Sequence, residues 1–110
     1  MIRFLIAFVA LAALSAAANL PPRSQTEKRH FAKEHPCPVT QLPQPSCPHH
    51  VIDHIVPICA GGADKADNMQ WQTLELSRVK DRIERGFCAC VKHHGAWACP
   101  TVNWKPAGKP

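Results

Sequence analysis

The chain has 110 residues with a formal net charge of +5, six cysteines, eleven prolines and no tyrosine. That length holds one small domain, which excludes a multidomain enzyme and a fold built around a large cofactor. The positive balance fits a phosphate-rich partner without naming one.

In chain order, Arg3 is followed by an apolar run from Phe4 to Leu14 and then by Ser15-Ala16-Ala17-Ala18. A cationic start, an apolar stretch and small residues at an A-x-A-like site predict a secretory signal peptide over residues 1–18. The run is shorter than the roughly 20 apolar residues that span a bilayer, so no stable membrane association is expected after cleavage. Cleavage after Ala18 leaves 92 residues with twelve basic and eight acidic side chains, and all six cysteines. A secreted or periplasmic chain meets an oxidising compartment, which favours disulfides over thiol chemistry. So small a body also needs cross-links to supplement its core.

Residues 19–50 read as a leader and a segment rich in proline and cysteine. The leader is polar and flexible to about Glu27. A short helix is expected over Glu27 to Glu34, with Ser24 as candidate cap and Pro36 as stop. From Pro36 to Pro48, five prolines and two cysteines in thirteen residues preclude regular structure. Val51 to Val56 is β-branched at four of six positions and ends at Pro57, which predicts a strand. A loop containing Gly61-Gly62 leads to a second strand over Asn68 to Gln72. From Thr73 the period changes, and Leu76, Val79, Ile83 and Phe87 mark one face of a helix. Gly86 is the expected stop, and Cys88 to Trp104 reads as a small hairpin turning near Lys92-His93-His94-Gly95.

Six cysteines allow fifteen pairings. The pairing adopted is Cys37–Cys47, Cys59–Cys88 and Cys90–Cys99, the second tying the loop after the first strand to the helix end. Structural zinc is disfavoured, because no C-x-x-C occurs and Cys88-Ala89-Cys90 is too tight for a zinc knuckle.

The first strand carries an ionisable pair, Asp53-His54. Alternation puts the two on opposite faces, each between apolar residues. Alone, such a pair reads more readily as a turn cap and a satisfied core histidine. It is followed, however, by Ile55-Val56-Pro57, by Gly61-Gly62, by Asn68 fourteen residues after His54, and by a helix carrying Lys80-Asp81. Over Val51 to Glu84 this pattern resembles the HNH endonucleases.

The resemblance implies an α+β fold with a ββα-metal core over residues 51–86. It implies a general base at His54, a metal ligand at Asp53, and at Asn68 a residue that orients the base or pins the loop. The helical histidine common in the family falls on Ser77 here, nine residues after Asn68. A further ligand position seen in colicin-type members falls on Asp81, on a flank of the apolar stripe. Two carboxylates favour one Mg²⁺ or Mn²⁺ over Zn²⁺, the lesser alternative. For Asp53 and His54 to serve one site, a bulge or the strand end near Pro57 must rotate them together. Arg78, Lys80 and Arg82 are candidate phosphate contacts.

The expected function is therefore an exported, metal-dependent endonuclease of little sequence specificity, acting on nucleic acid, with DNA favoured over RNA. An inhibitor or immunity partner is left open. One rival is a non-catalytic cationic module that binds nucleic acid or another polyanion on the same scaffold. Another is a structural secreted domain in which Asp53-His54 is incidental. The pairs His49-His50 and His93-His94 read as surface histidines.

Overall fold

The computed structural model describes residues 23–106, so the expected signal peptide lies outside the described residues. The first helix, α1, spans Gln25–Glu34. Ser24 caps it, its hydroxyl accepting from the Glu27 amide at 3.1 Å. The helix thus starts two residues earlier than the composition suggested, and residues 23–27 are tied down rather than a free leader. Phe31 and Ala32 are its buried residues. After His35 the chain contains no helix or strand up to residue 49, as the prolines require. The Cys37–Cys47 disulfide closes that stretch.

Strand β1, His50–His54, pairs antiparallel with β2, Met69–Thr73. Directly opposed residues share a face. One face therefore presents Ile52, His54, Met69 and Trp71, and the other Val51, Asp53, Gln70 and Gln72. The first face is apolar and makes the core, where Phe31, Ala66 and Met69 pack with Ile52 and Trp71. The Trp71 indole N–H donates to the His35 carbonyl at 2.7 Å, so the one polar atom of this large ring is satisfied. The second face is polar and lies against the long helix α2, Leu74–His94.

Helix α2 departs from expectation in two respects. Gly86 does not end it. The helix runs on to His94 and stops at Gly95, which has φ 82° and returns its amide to the Val91 carbonyl. A glycine inside a helix costs about 1 kcal/mol relative to alanine, and beyond it the helix is tied to Cys59 through Cys88 and to Cys99 through Cys90. The expected hairpin over Cys88 to Trp104 is therefore the last turns of α2, a 3-10 turn over Ala96–Ala98 and an extended tail. The other departure concerns facing. Leu76, Val79 and Ile83 are 52%, 49% and 49% exposed. The helix meets the hairpin through Lys80, and the loop after β1 through the Cys59–Cys88 disulfide, while Leu76, Val79 and Ile83 stay largely in solvent. The tail folds back on α2, where Trp104 meets Phe87 edge-on and lies beneath the Lys80 ammonium.

The architecture is thus a small α+β unit: a two-stranded antiparallel hairpin followed by a long helix, with α1 on the opposite sheet face. All three disulfides pair as expected, Cys37–Cys47, Cys59–Cys88 and Cys90–Cys99. Among the described residues no helix is long and apolar enough to cross a membrane.

Candidate active site

His54 ends β1 on the apolar face and is 3% exposed. Both ring nitrogens are engaged. Nε2 lies 2.9 Å from Asp64 Oδ1, and Nδ1 lies 2.9 Å from Arg23 Nη1. A guanidinium only donates, so Nδ1 accepts, and the proton of the neutral ring sits on Nε2 and points at Asp64. The other Asp64 oxygen accepts from the Ser24 amide at 2.7 Å. That amide and then the His54 ring hold the Asp64 carboxyl below its ordinary value. Since Arg23 and Ser24 are consecutive, backbone, carboxylate, imidazole and guanidinium close into a ring of contacts.

The loop that delivers Asp64 is shaped by Asn68 and Gly62. The Asn68 amide Nδ2 donates to the carbonyls of Val56 and Ala63, and its Oδ1 accepts from the Val56 amide, each at 2.9 Å. Of the two roles open to Asn68, the geometry therefore carries the pinning of the loop. Its side chain reaches the residues after His54 rather than the imidazole. At Gly62 a Cβ would lie 1.9 Å from the Val56 carbonyl oxygen, so no larger residue fits without displacing that segment. The double glycine before Asp64 thus permits the close approach that brings residue 64 back to β1.

Asp53 leaves β1 on the other face. The pairing is regular through both residues, Asp53 opposite Gln70 and His54 opposite Met69, so no bulge rotates the pair together. Asp53 Oδ2 instead lies 2.7 Å from Lys80 Nζ. The same ammonium bonds Glu84 Oε1 and donates to the His54 carbonyl oxygen. Lys80, Asp53 and Glu84 are each at least four-fifths buried. Burial opposes the lysine charge, but hydrogen bonds to Asp53 and Glu84 outweigh it and hold Lys80 above its ordinary value.

Asp81 is exposed on α2, and Ser77 is half-buried. Among the described residues no three His, Cys, Asp or Glu side chains are grouped to hold a metal ion. Arg78 and Arg82 are exposed on α2, whereas Lys80 is turned inward to its carboxylates. Of the other histidines, His49, His93 and His94 are exposed, and His50 bonds the Pro48 carbonyl.

Four residues around the two centres were not anticipated: Arg23, Asp64, Glu84 and Trp104. The four-residue spacing of Lys80 and Glu84 was the available signal for one of them. The position of Asp64 between the glycines and Asn68 was a weaker one. Compared with protein-family models, curated proteins and solved structures, the chain matches none.

Proposed function

We propose that the chain is an exported HNH-type nuclease that hydrolyses phosphodiester bonds in nucleic acid with little sequence specificity. The observation that carries this reading is the state of His54. A buried imidazole has its Nε2 proton committed to a carboxylate, so Nδ1 is the accepting nitrogen, held here by Arg23, and that polarity of the ring is the one a general base requires. In the reaction the oxygen of a water adds to phosphorus while its proton passes to Nδ1. The ester P–O bond then breaks, and the leaving oxygen takes up a proton from solvent. Asp64 stabilises the imidazolium that forms, and Asn68 holds the loop that supplies Asp64. The strand–strand–helix order and the pattern from Asp53 to Asp81 support the HNH assignment, and three disulfides fit a secreted or periplasmic setting.

The resemblance also implies one divalent ion, with Mg²⁺ or Mn²⁺ ahead of Zn²⁺. The residues as placed do not fit it. The Asp53 carboxylate is taken by Lys80, Asp81 is exposed, and Ser77 stands where the family carries a helical histidine. No step is therefore assigned to a metal.

That engagement of Asp53 favours a second reading, a non-catalytic module that binds nucleic acid or another polyanion through its basic side chains. The two are separated by incubating the oxidised mature protein with supercoiled plasmid DNA and with RNA, in Mg²⁺, in Mn²⁺ and in EDTA. Nicked plasmid or shortened RNA is the outcome expected of the nuclease. Salt-sensitive retention of intact nucleic acid under every condition establishes the module instead.

A further inference from the structure

Arg23 stands directly on the lone pair through which His54 would act. Its Nη1 donates to Nδ1 at 2.9 Å, using one of the five donors of the guanidinium. The residue is exposed, while the imidazole beneath it is 3% exposed. Access to Nδ1 from solvent thus passes by the Arg23 side chain. The neighbouring backbone is fixed, because the Ser24 amide is bonded to Asp64 and the Ser24 hydroxyl caps α1. The guanidinium therefore stands over the imidazole next to a backbone tied down at Ser24.

A planar fork of N–H donors matches two oxygens of a phosphate far better than it matches one ring nitrogen. We propose that Arg23 is the residue that receives the scissile phosphate, and that its resting bond to His54 keeps the base masked until a phosphodiester arrives. When the phosphate takes the guanidinium, the Nδ1 lone pair is released beside the phosphorus it serves. The empty enzyme then holds no exposed base, and binding and activation are one event. None of the three candidate phosphate contacts on α2, Arg78, Lys80 and Arg82, occupies this position. Arg78 and Arg82 are exposed on the helix, and Lys80 is enclosed by Asp53 and Glu84.

This assignment rests on His54 being the base, but it has a readout of its own. In full-length mature protein with ¹⁵N-labelled histidine, inorganic phosphate is titrated at fixed pH and ionic strength. The Nδ1 resonance of His54 is expected to move saturably in wild type and to stay still in Arg23→Gln. Arg23→Lys, which keeps the charge but not the fork, is expected to respond only weakly. In plasmid nicking, Arg23→Gln is expected to lose at least tenfold in kcat/KM.

A His54 resonance indifferent to phosphate in wild type, or one that moves equally in Arg23→Gln, overturns the assignment. So does nicking unchanged by that substitution. If instead no nucleic acid is cleaved but phosphate moves His54 only when Arg23 is present, the nuclease reading falls while the phosphate site stands.

Discussion

Asp53 and His54 are neighbours in β1, yet Asp53 meets Lys80 at 2.7 Å on one face of the hairpin while His54 meets Asp64 at 2.9 Å on the other. The sheet separates a charged cluster from an imidazole centre, and Lys80 links the two by also donating to the His54 carbonyl. Substitutions on the two faces should therefore act differently, those at Asp53 and Lys80 on stability alone and those around His54 on nicking as well.

On the charged face, Lys80→Met leaves Asp53 and Glu84 facing each other with no cation between them. Exposed ion pairs contribute about 0–1 kcal/mol and breaking a fully buried one costs about 3–5 kcal/mol. This cluster lies between those limits, so a loss of about 2 kcal/mol is expected in urea denaturation of the oxidised protein. Asp53→Asn should cost less, and the double variant less than the sum, because the two changes remove one shared interaction. Strict additivity would mean that the pair contributes nothing.

Metal ions should leave the stability of the wild type unchanged. An ion that binds the folded state raises the melting temperature by mass action, and Asp53 is already paired with Lys80 through Oδ2. Thermal unfolding monitored with EDTA, Mg²⁺ or Mn²⁺ should give coincident curves. A rise with Mn²⁺ that disappears in Asp53→Asn would show that the ion displaces Lys80.

Acid stability should report Asp64. Its folded value lies below the ordinary 3.8, chiefly through the Ser24 amide and next through the His54 ring. The stabilisation it supplies is complete above that ordinary value and is lost as pH falls through the lowered folded value. Glu27, lowered from 4.5 mainly by the Ala66 amide, acts in the same direction over a neighbouring range. Asp64→Asn should thus flatten, without abolishing, the fall in melting temperature below about pH 4. An unchanged slope would remove Asp64 from the ring of contacts.

The two glycines at Gly86 and Gly62 should respond oppositely to alanine. At Gly86 a methyl group meets nothing within 4 Å and the backbone is helical, so Gly86→Ala should stabilise by up to about 1 kcal/mol. At Gly62 the same change drives a Cβ to 1.9 Å from the Val56 carbonyl oxygen. Gly62→Ala should destabilise and also lower activity, since it shifts the loop that delivers Asp64. Circular dichroism melts of both variants, with nicking assays alongside, check this.

Much of the fold was legible because its signals are local. Ser24 stands three residues before the amide it caps, Pro57 follows the strand, and the disulfides close loops whose ends the intervening elements bring together. The opposite facing of Asp53 and His54 followed from strand alternation alone. What was not legible depends on closure at long range. Arg23 and Asp64 reach His54 from 31 and 10 residues away, with no periodic pattern to mark them. Lys80 and Glu84 have the spacing of a solvated helix pair, and only the approach of Asp53 from the sheet turns them inward. Gly86 reads as a stop because its helix penalty is local, whereas α2 continues through it to the cap at Gly95.

If His54 is the base of a hydrolytic site, plasmid nicking must separate the wild type from His54→Gln. Positioned general bases contribute about 10²–10⁴-fold, so the variant, shown by circular dichroism to be folded, should lose at least a hundredfold in rate. Equal rates for the two proteins, or no cleavage of DNA or RNA by the wild type under any of the ionic conditions above, would contradict it.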